Sequence, residues 1–155
     1  MPEHFEIDLE EIPTTCVAAN IRRASRTINR LYAGVLKSVD LEPTQFVLLV
    51  ACCRQASVTI SALAERLSMD GSALARNLSV MQRRGLLTVR PGADRRFRNV
   101  SITKKGRVVL DQALPRWREV QDKVRAKFGA AQMEAVVASM RSITRAGQDL
   151  LGEYE

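Results

Sequence analysis

Apolar residues recur at intervals of three and four along most of the chain, the spacing of helices with one buried face. Over 16–39, Val17, Ile21, Ala24, Ile28, Leu31, Val35 and Val39 form one stripe, and Arg22, Arg23, Arg26 and Arg30 lie opposite. This predicts a long amphipathic helix. Pro43 suits the first turn of a second helix, where its missing N–H is not needed. That helix is expected to end near Arg54. Phe46, Val47, Leu48, Leu49 and Val50 make it apolar nearly all round, so it is expected to be buried in the middle of the fold. A short helix near 61–67 follows, capped by Thr59 or Ser61, and Ser68-Met69 make a tight turn. Asp70 is a good N-cap for a helix over 71–84 that stops before Gly85. Two helices joined by so short a turn form a helix-turn-helix pattern.

After Gly85 the period changes to two. Leu87 and Val89 alternate with polar neighbours, as do Val100 and Ile102, and Pro91-Gly92 supplies turn chemistry between them. The pattern predicts a β-hairpin with a long basic tip. Thr103 then caps a long helix over roughly 104–127, in which Pro115 is expected to produce a kink or a local break. Gly129 interrupts, and a last helix spans about 130–151. The expected fold class is mainly α with a small β-hairpin wing. A winged helix-turn-helix over 42–103 is flanked by helical segments 16–41 and 104–155, with an acidic arm at 1–15. The flanking helices carry more apolar surface than a core of some 60 residues covers, so they are expected to bury it on each other or on a second chain, a homodimer being the economical solution.

Composition sharpens this picture. The 155 residues suit one domain with or without arms. Of 17 acidic side chains, five lie in residues 1–15, so the rest sets 24 basic groups against 12 acidic ones. A body this basic expects a polyanion, most often nucleic acid or a membrane surface. No apolar run approaches the ~18 residues of a spanning helix, and the acidic start MPEHFEIDLEE is neither a signal nor a transit peptide. Three cysteines, two of them the adjacent Cys52 and Cys53, make no disulfide framework, which fits a reducing cytoplasm. The single histidine, His4, leaves no His-based triad and no multi-histidine metal site, and there is no Gly-rich phosphate loop. Neither an enzyme, nor a metal, nor a cofactor is expected.

The charge concentrates in 83–107, where Arg83, Arg84, Arg90, Arg95, Arg96, Arg98, Lys104, Lys105 and Arg107 face one acid, Asp94. Like charges at this density repel unless a partner neutralises them, and DNA phosphates do so with counterion release. In the helix 71–84, Leu74, Leu78 and Met81 point inward, leaving Ala73, Arg76, Asn77 and Val80 outward. Ser72 lies in the first turn, where backbone N–H groups can meet a phosphate. Arg reads guanine bidentately and Asn reads adenine. Small Ala73 permits close approach. Ser72, Ala73, Arg76 and Asn77 are therefore the candidate major-groove residues. In the wing, Asp94 is expected to pair with a neighbouring arginine and stiffen the hairpin, leaving another of Arg95, Arg96 and Arg98 for the minor groove. Against this stands the plainer reading of solvated polar positions and a mobile loop.

The run ISALAERLSMDGSALARNLSVMQRRGLL followed by DRRFRNVSITKKG resembles the MarR family of bacterial transcription regulators. The resemblance rests on Asp94-x-Arg96 in the wing, the alternating Val100 and Ile102, the Thr103-x-x-Gly106 step, and Arg76 in mid helix. CVAANIRRASRTINRLY at 16–32 is similar to first helices of the family, so the likeness covers about 16–150. It implies a homodimer joined by its N- and C-terminal helices and straddling a pseudo-palindromic double-stranded DNA operator. It also implies repression relieved by a small aromatic or phenolic ligand. Gly71 departs from the commoner pattern, which has a bulkier polar residue after the cap.

Two modes of signal reception stand beside each other. In one, a small organic anion binds between the first helix, the second and the long helix after the wing. Its candidate lining is Asn20, Arg23, Phe46, Val50, Leu114 and Trp117, with Arg23 holding a carboxylate and Trp117 stacking on a ring. The plainer reading makes the apolar members ordinary core. In the other, Cys16 is a redox switch at a helix start, where the dipole favours a thiolate. The hydroperoxide-sensing branch of the family surrounds its cysteine with tyrosines, whereas Val17, Ala18, Ala19 and Asn20 follow here, which argues for an inert thiol. Cys52 and Cys53 read as structural. A basic winged-helix adaptor without a specific operator is the remaining alternative.

Overall fold

The structure, a computed structural model, describes residues 11–154, so His4 and most of the acidic arm lie outside the described residues. The order is α1 (Ile12–Thr15), α2 (Val17–Leu36), a 3-10 turn (Lys37–Val39), α3 (Pro43–Cys53), β1 (Val58–Thr59), α4 (Ile60–Leu67), α5 (Gly71–Arg83), β2 (Leu87–Pro91), β3 (Arg98–Ile102), α6 (Lys104–Phe128) and α7 (Ala130–Tyr154). This is a mainly helical winged-helix fold with a small antiparallel sheet. The chain divides into two compact units between Arg116 and Trp117. No described helix is long and apolar enough to cross a membrane.

In the first unit, local signals place the helix ends. Pro43 opens α3, whose N-cap Glu42 forms a capping box with Gln45. The Thr59 hydroxyl accepts the Ala62 N–H at 3.2 Å at the start of α4. Ser68 closes α4 in the left-handed conformation. At the end of α5 the Leu86 N–H returns to the Met81 carbonyl at 2.9 Å, a Schellman closure that places Gly85 at positive φ.

Leu74, Leu78 and Met81 of α5 are buried with Leu63 of α4, Leu48 and Leu49 of α3, and Leu86, Leu87 and Val100 around the hairpin. Helix α3 packs on α2, α5 and β3. Its burial is less complete than its composition predicts: Val47 remains 46% exposed and lines a shallow cleft with Asn29 of α2, Leu67 and Met69. A helix apolar all round still has one side that no neighbour covers.

The hairpin pairs Leu87 with Ile102, Val89 with Val100 and Pro91 with Arg98. A third strand joins it, β1, with Val58 opposite Val100, giving the order β1-β3-β2. At the foot of the wing the Thr103 hydroxyl accepts the Gly106 N–H at 2.9 Å and donates to the Gly85 carbonyl at 2.7 Å. Gly106 is the close-contact point: a Cβ there would lie 2.2 Å from the Leu86 carbonyl oxygen and 2.9 Å from Ile102 Cγ1. The Thr-x-x-Gly step thus caps α6 and lets it pass against the strand entry. Pro115 causes no break, and α6 is helical through it. The second unit holds the end of α6 and α7, which turn about Gly129 at positive φ.

Candidate nucleic-acid interface

Helix α5 begins at Asp70, whose carboxylate accepts the N–H groups of Ser72 at 2.8 Å and Ala73 at 3.1 Å. The Ser72 hydroxyl donates to the same oxygen. These bonds, the hydroxyl's first, hold the Asp70 carboxyl below its ordinary range, so it stays ionised. The two N–H groups are therefore engaged, which removes them as direct phosphate ligands. The Ser72 oxygen keeps its acceptor capacity. Gly71 is exposed and a Cβ there would meet nothing, so no internal contact requires glycine.

Along the outward side of α5, Arg76 is exposed. Ala73 and Asn77 are half-buried, and the Asn77 amide donates to the Ala73 carbonyl at 2.9 Å. That bond takes one of the two amide hydrogens and leaves the other, with Oδ1, for a base. Val80 and Arg84, further on, line a cleft of about 320 Å³ with Lys37, Asp40 and Gln45.

The wing tip is closed by its backbone. The Gly92 N–H donates to the Phe97 carbonyl at 2.8 Å, and the Phe97 N–H to the Asp94 carbonyl at 3.0 Å. The Asp94 carboxylate accepts from Arg96 three ways: backbone N–H at 3.0 Å, Nε at 3.0 Å and Nη2 at 2.7 Å. The pair pushes the Asp94 carboxyl below and the Arg96 guanidinium above their ordinary values. The expected acid–arginine clamp exists, and Arg96 is its partner. Among the described residues no ion pair involves Arg95 or Arg98, and both are exposed. Sequence reasoning did not single out Phe97, which is exposed at the tip. Its signal was one aromatic inside the run Arg95-Arg96-Phe97-Arg98.

The ligand candidates are less concentrated. Asn20 Nδ2 donates to the Cys16 carbonyl at 2.9 Å and the Pro13 carbonyl at 3.1 Å, and Asn20 Oδ1 accepts Arg23 Nη2 at 2.8 Å. Arg23 also reaches the Pro13 carbonyl at 3.3 Å. The two side chains come together, tying α1 to α2. Phe46 is buried and Val50 half-buried in α3, while Leu114 is exposed on α6. Trp117, in the second unit, lines a cleft of about 640 Å³ with Gln121, Met133, Val137 and the arginines 118, 125 and 141. Gln121 Oε1 is buried there without a hydrogen-bond partner among the described residues.

All three cysteines are free thiols. Cys16 is half-buried at the N-cap of α2. Burial pushes the Cys52 thiol up to about 11, so it stays protonated and packs as a small apolar group. Cys53 Sγ accepts Arg107 Nη1 at 3.3 Å. Among the described residues no cluster of His, Cys, Asp and Glu has the makings of a metal site.

The MarR-family sequence model matches residues 39–96, from the 3-10 turn to the wing. The transcriptional regulator MosR of M. tuberculosis, solved in complex with DNA, is 35% identical at a TM-score of 0.80, over 86% of this chain and 97% of that one. A cysteine-to-serine variant of MarR from E. coli, complexed with operator DNA, shares the fold at 21% identity and a TM-score of 0.77, covering 88% and 99% of the two chains. BpsR of Bordetella bronchiseptica, whose DNA binding is regulated by 6-hydroxynicotinic acid, shares it at 21% and 0.73, covering 93% and 98%. No curated protein sequence matches the chain. The likeness to MosR spans both the helix-turn-helix and the flanking helices, and the chain belongs to the MarR family of DNA-binding transcription regulators.

Proposed function

We propose that the chain is a homodimeric repressor that grips a two-fold-related operator. Ser72, Ala73, Arg76 and Asn77 of α5 enter the major groove, and Arg95 and Arg98 of the wing reach the adjacent minor groove while Arg96 holds the tip through Asp94. The observation that carries this reading is the division of labour in the wing. Asp94 clamps Arg96, so the tip is held while Arg95 and Arg98 carry no internal ion pair among the described residues. A rigid hairpin with unneutralised arginines suits phosphates and a narrow groove.

Self-association is supported by apolar side chains left in water on each unit. Val17, Ile28 and Leu31 of α2 are exposed, as are Val136, Val137, Met140, Leu150 and Leu151 of α7. Faces of this kind mark protein contacts. A second copy is the partner proposed, with the segments 16–41 and 104–155 as its dimerisation region.

The releasing ligand is proposed to be a small aromatic acid, as BpsR's ligand is. Its carboxylate is offered Arg23, whose long contact with Pro13 is easily exchanged, and Asn20 is the neighbouring donor. Phe46, Val50 and Leu114 of the same unit complete the proposed lining.

The test begins with selection of preferred duplexes from random DNA and titration of the winner at two salt concentrations, with light scattering to count subunits. A two-fold-related site bound by a dimer supports the reading. Binding with no sequence preference favours an architectural or adaptor role instead. Aromatic acids and hydrogen peroxide are then tried as releasing agents. Release by peroxide that Cys16→Ser abolishes would move signal reception to that thiol.

A further inference from the structure

The wing holds one side chain that a purely electrostatic contact leaves unexplained. Phe97 is 47% exposed at the hairpin tip, in a chain with seven aromatic residues in all. A single exposed apolar side chain is ordinary on a protein surface, but a ring on a held hairpin among arginines is the kind of side chain that parts base steps. Phe97 is held. Its carbonyl accepts the Gly92 N–H at 2.8 Å, and its own N–H binds the Asp94 carbonyl at 3.0 Å. Gly92 has no slack, since a Cβ there would lie 3.3 Å from the carbonyl oxygens of both Asp94 and Phe97. Asp94 in turn is forked to Arg96.

The surroundings choose the partner. Arg90, Arg95, Arg96 and Arg98 are all exposed around the tip, and the one acid, Asp94, is already occupied by Arg96. A ring among cations complements a site with anionic edges and apolar walls. A minor groove has that make-up: phosphates at its edges, sugar faces and stacked bases within.

We propose that Phe97 is an apolar wedge that the wing inserts into the DNA minor groove, partly unstacking one base step. This rests on the DNA-binding reading above and adds to it a source of sequence preference that needs no hydrogen bond to a base. Pyrimidine–purine steps unstack most easily, so the wing should favour them where it touches.

The experiment uses full-length protein and the selected duplex, with 2-aminopurine placed at each step beneath the wing. Wild-type binding should raise the probe's fluorescence at one step, and Phe97→Ala should abolish the rise. Anisotropy titrations should show Phe97→Ala binding roughly tenfold more weakly, as expected for losing a buried ring contact. Its salt slope should not change, because no charge is removed. Arg98→Ala should lower that slope by about one. Phe97→Leu should keep most of the affinity, and melting curves confirm that each variant is folded. Unchanged affinity and fluorescence for Phe97→Ala, with specific binding by the wild type, overturns this proposal alone. Absence of DNA binding by the wild type overturns it together with the regulator reading.

Discussion

Arg84, the C-cap of α5, binds Asp40 across 44 residues of sequence, with its Nη2 at 2.8 Å from the Asp40 carboxylate. The same nitrogen donates to the Asp40 carbonyl, and Nη1 donates to Gln45 Oε1 at 3.0 Å. One guanidinium thereby ties the end of α5 to the left-handed residue after the 3-10 turn and to the first turn of α3.

The charge pair itself contributes little, because the Asp40 side chain is 93% exposed and water screens it. The bond to buried Gln45 matters more. Arg84→Ala should therefore cost about 1–2 kcal/mol of stability, and Asp40→Ala less than about 1 kcal/mol. Urea unfolding of the two variants checks this. Equal losses would mean that the ion pair, and not the Gln45 bond, carries the contact.

Gly106→Ala should be among the most damaging single-methyl additions in the chain. The new carbon would sit 2.2 Å from the Leu86 carbonyl oxygen, a backbone atom that cannot turn aside. The wing foot must shift, at about 3 kcal/mol or more. Gly71→Ala meets no atom and removes backbone freedom from the unfolded chain, so it should stabilise by about 0.5 kcal/mol. Melting temperatures of the pair should move in opposite directions.

Arg76→Ala should weaken binding to the selected operator by roughly 1–3 kcal/mol and relax preference at one base pair per half-site. Charge reversal at Arg95 should weaken all duplexes alike and leave the dimer intact. Binding of operator and random duplexes at two salt concentrations separates the two effects. Uniform loss with Arg76→Ala would make it a phosphate contact.

Two carboxylates link stability to pH. The Ser72 hydroxyl and the two N–H groups hold Asp70, and Arg96 holds Asp94, below the ordinary 3.8. A depressed folded-state pKa means that the unfolded chain binds the proton first as pH falls. The stabilisation is full above the unfolded value and fades as pH drops through the folded one. The stability gap between wild type and Asp70→Ala should therefore be constant near neutrality and shrink below about pH 4. Unfolding curves across that range decide it; a gap that widens on acidification would reverse the sign.

What the sequence determines here is what lies within about four residues. Leu74, Leu78 and Met81 share a face because a helix turn brings them round together, and they are buried as their spacing requires. Thr59, Asp70 and Thr103 cap helices because each oxygen reaches an N–H two or three residues ahead. The outward position of Arg76 follows from the same geometry.

Tertiary structure decides what depends on a distant partner, and which of several near ones is taken. β1 has two residues, too few to show any period, and exists because Val100 lies opposite Val58. Spacing alone leaves Asp94 a choice of arginines, and the fold of the tip selects Arg96. Val47 stays in water because no neighbour packs on that side of α3, and Gly106 matters because the Leu86 carbonyl comes within contact from the far side of the wing. Periodicity reports which residues share a face; only packing in three dimensions settles what, if anything, covers it.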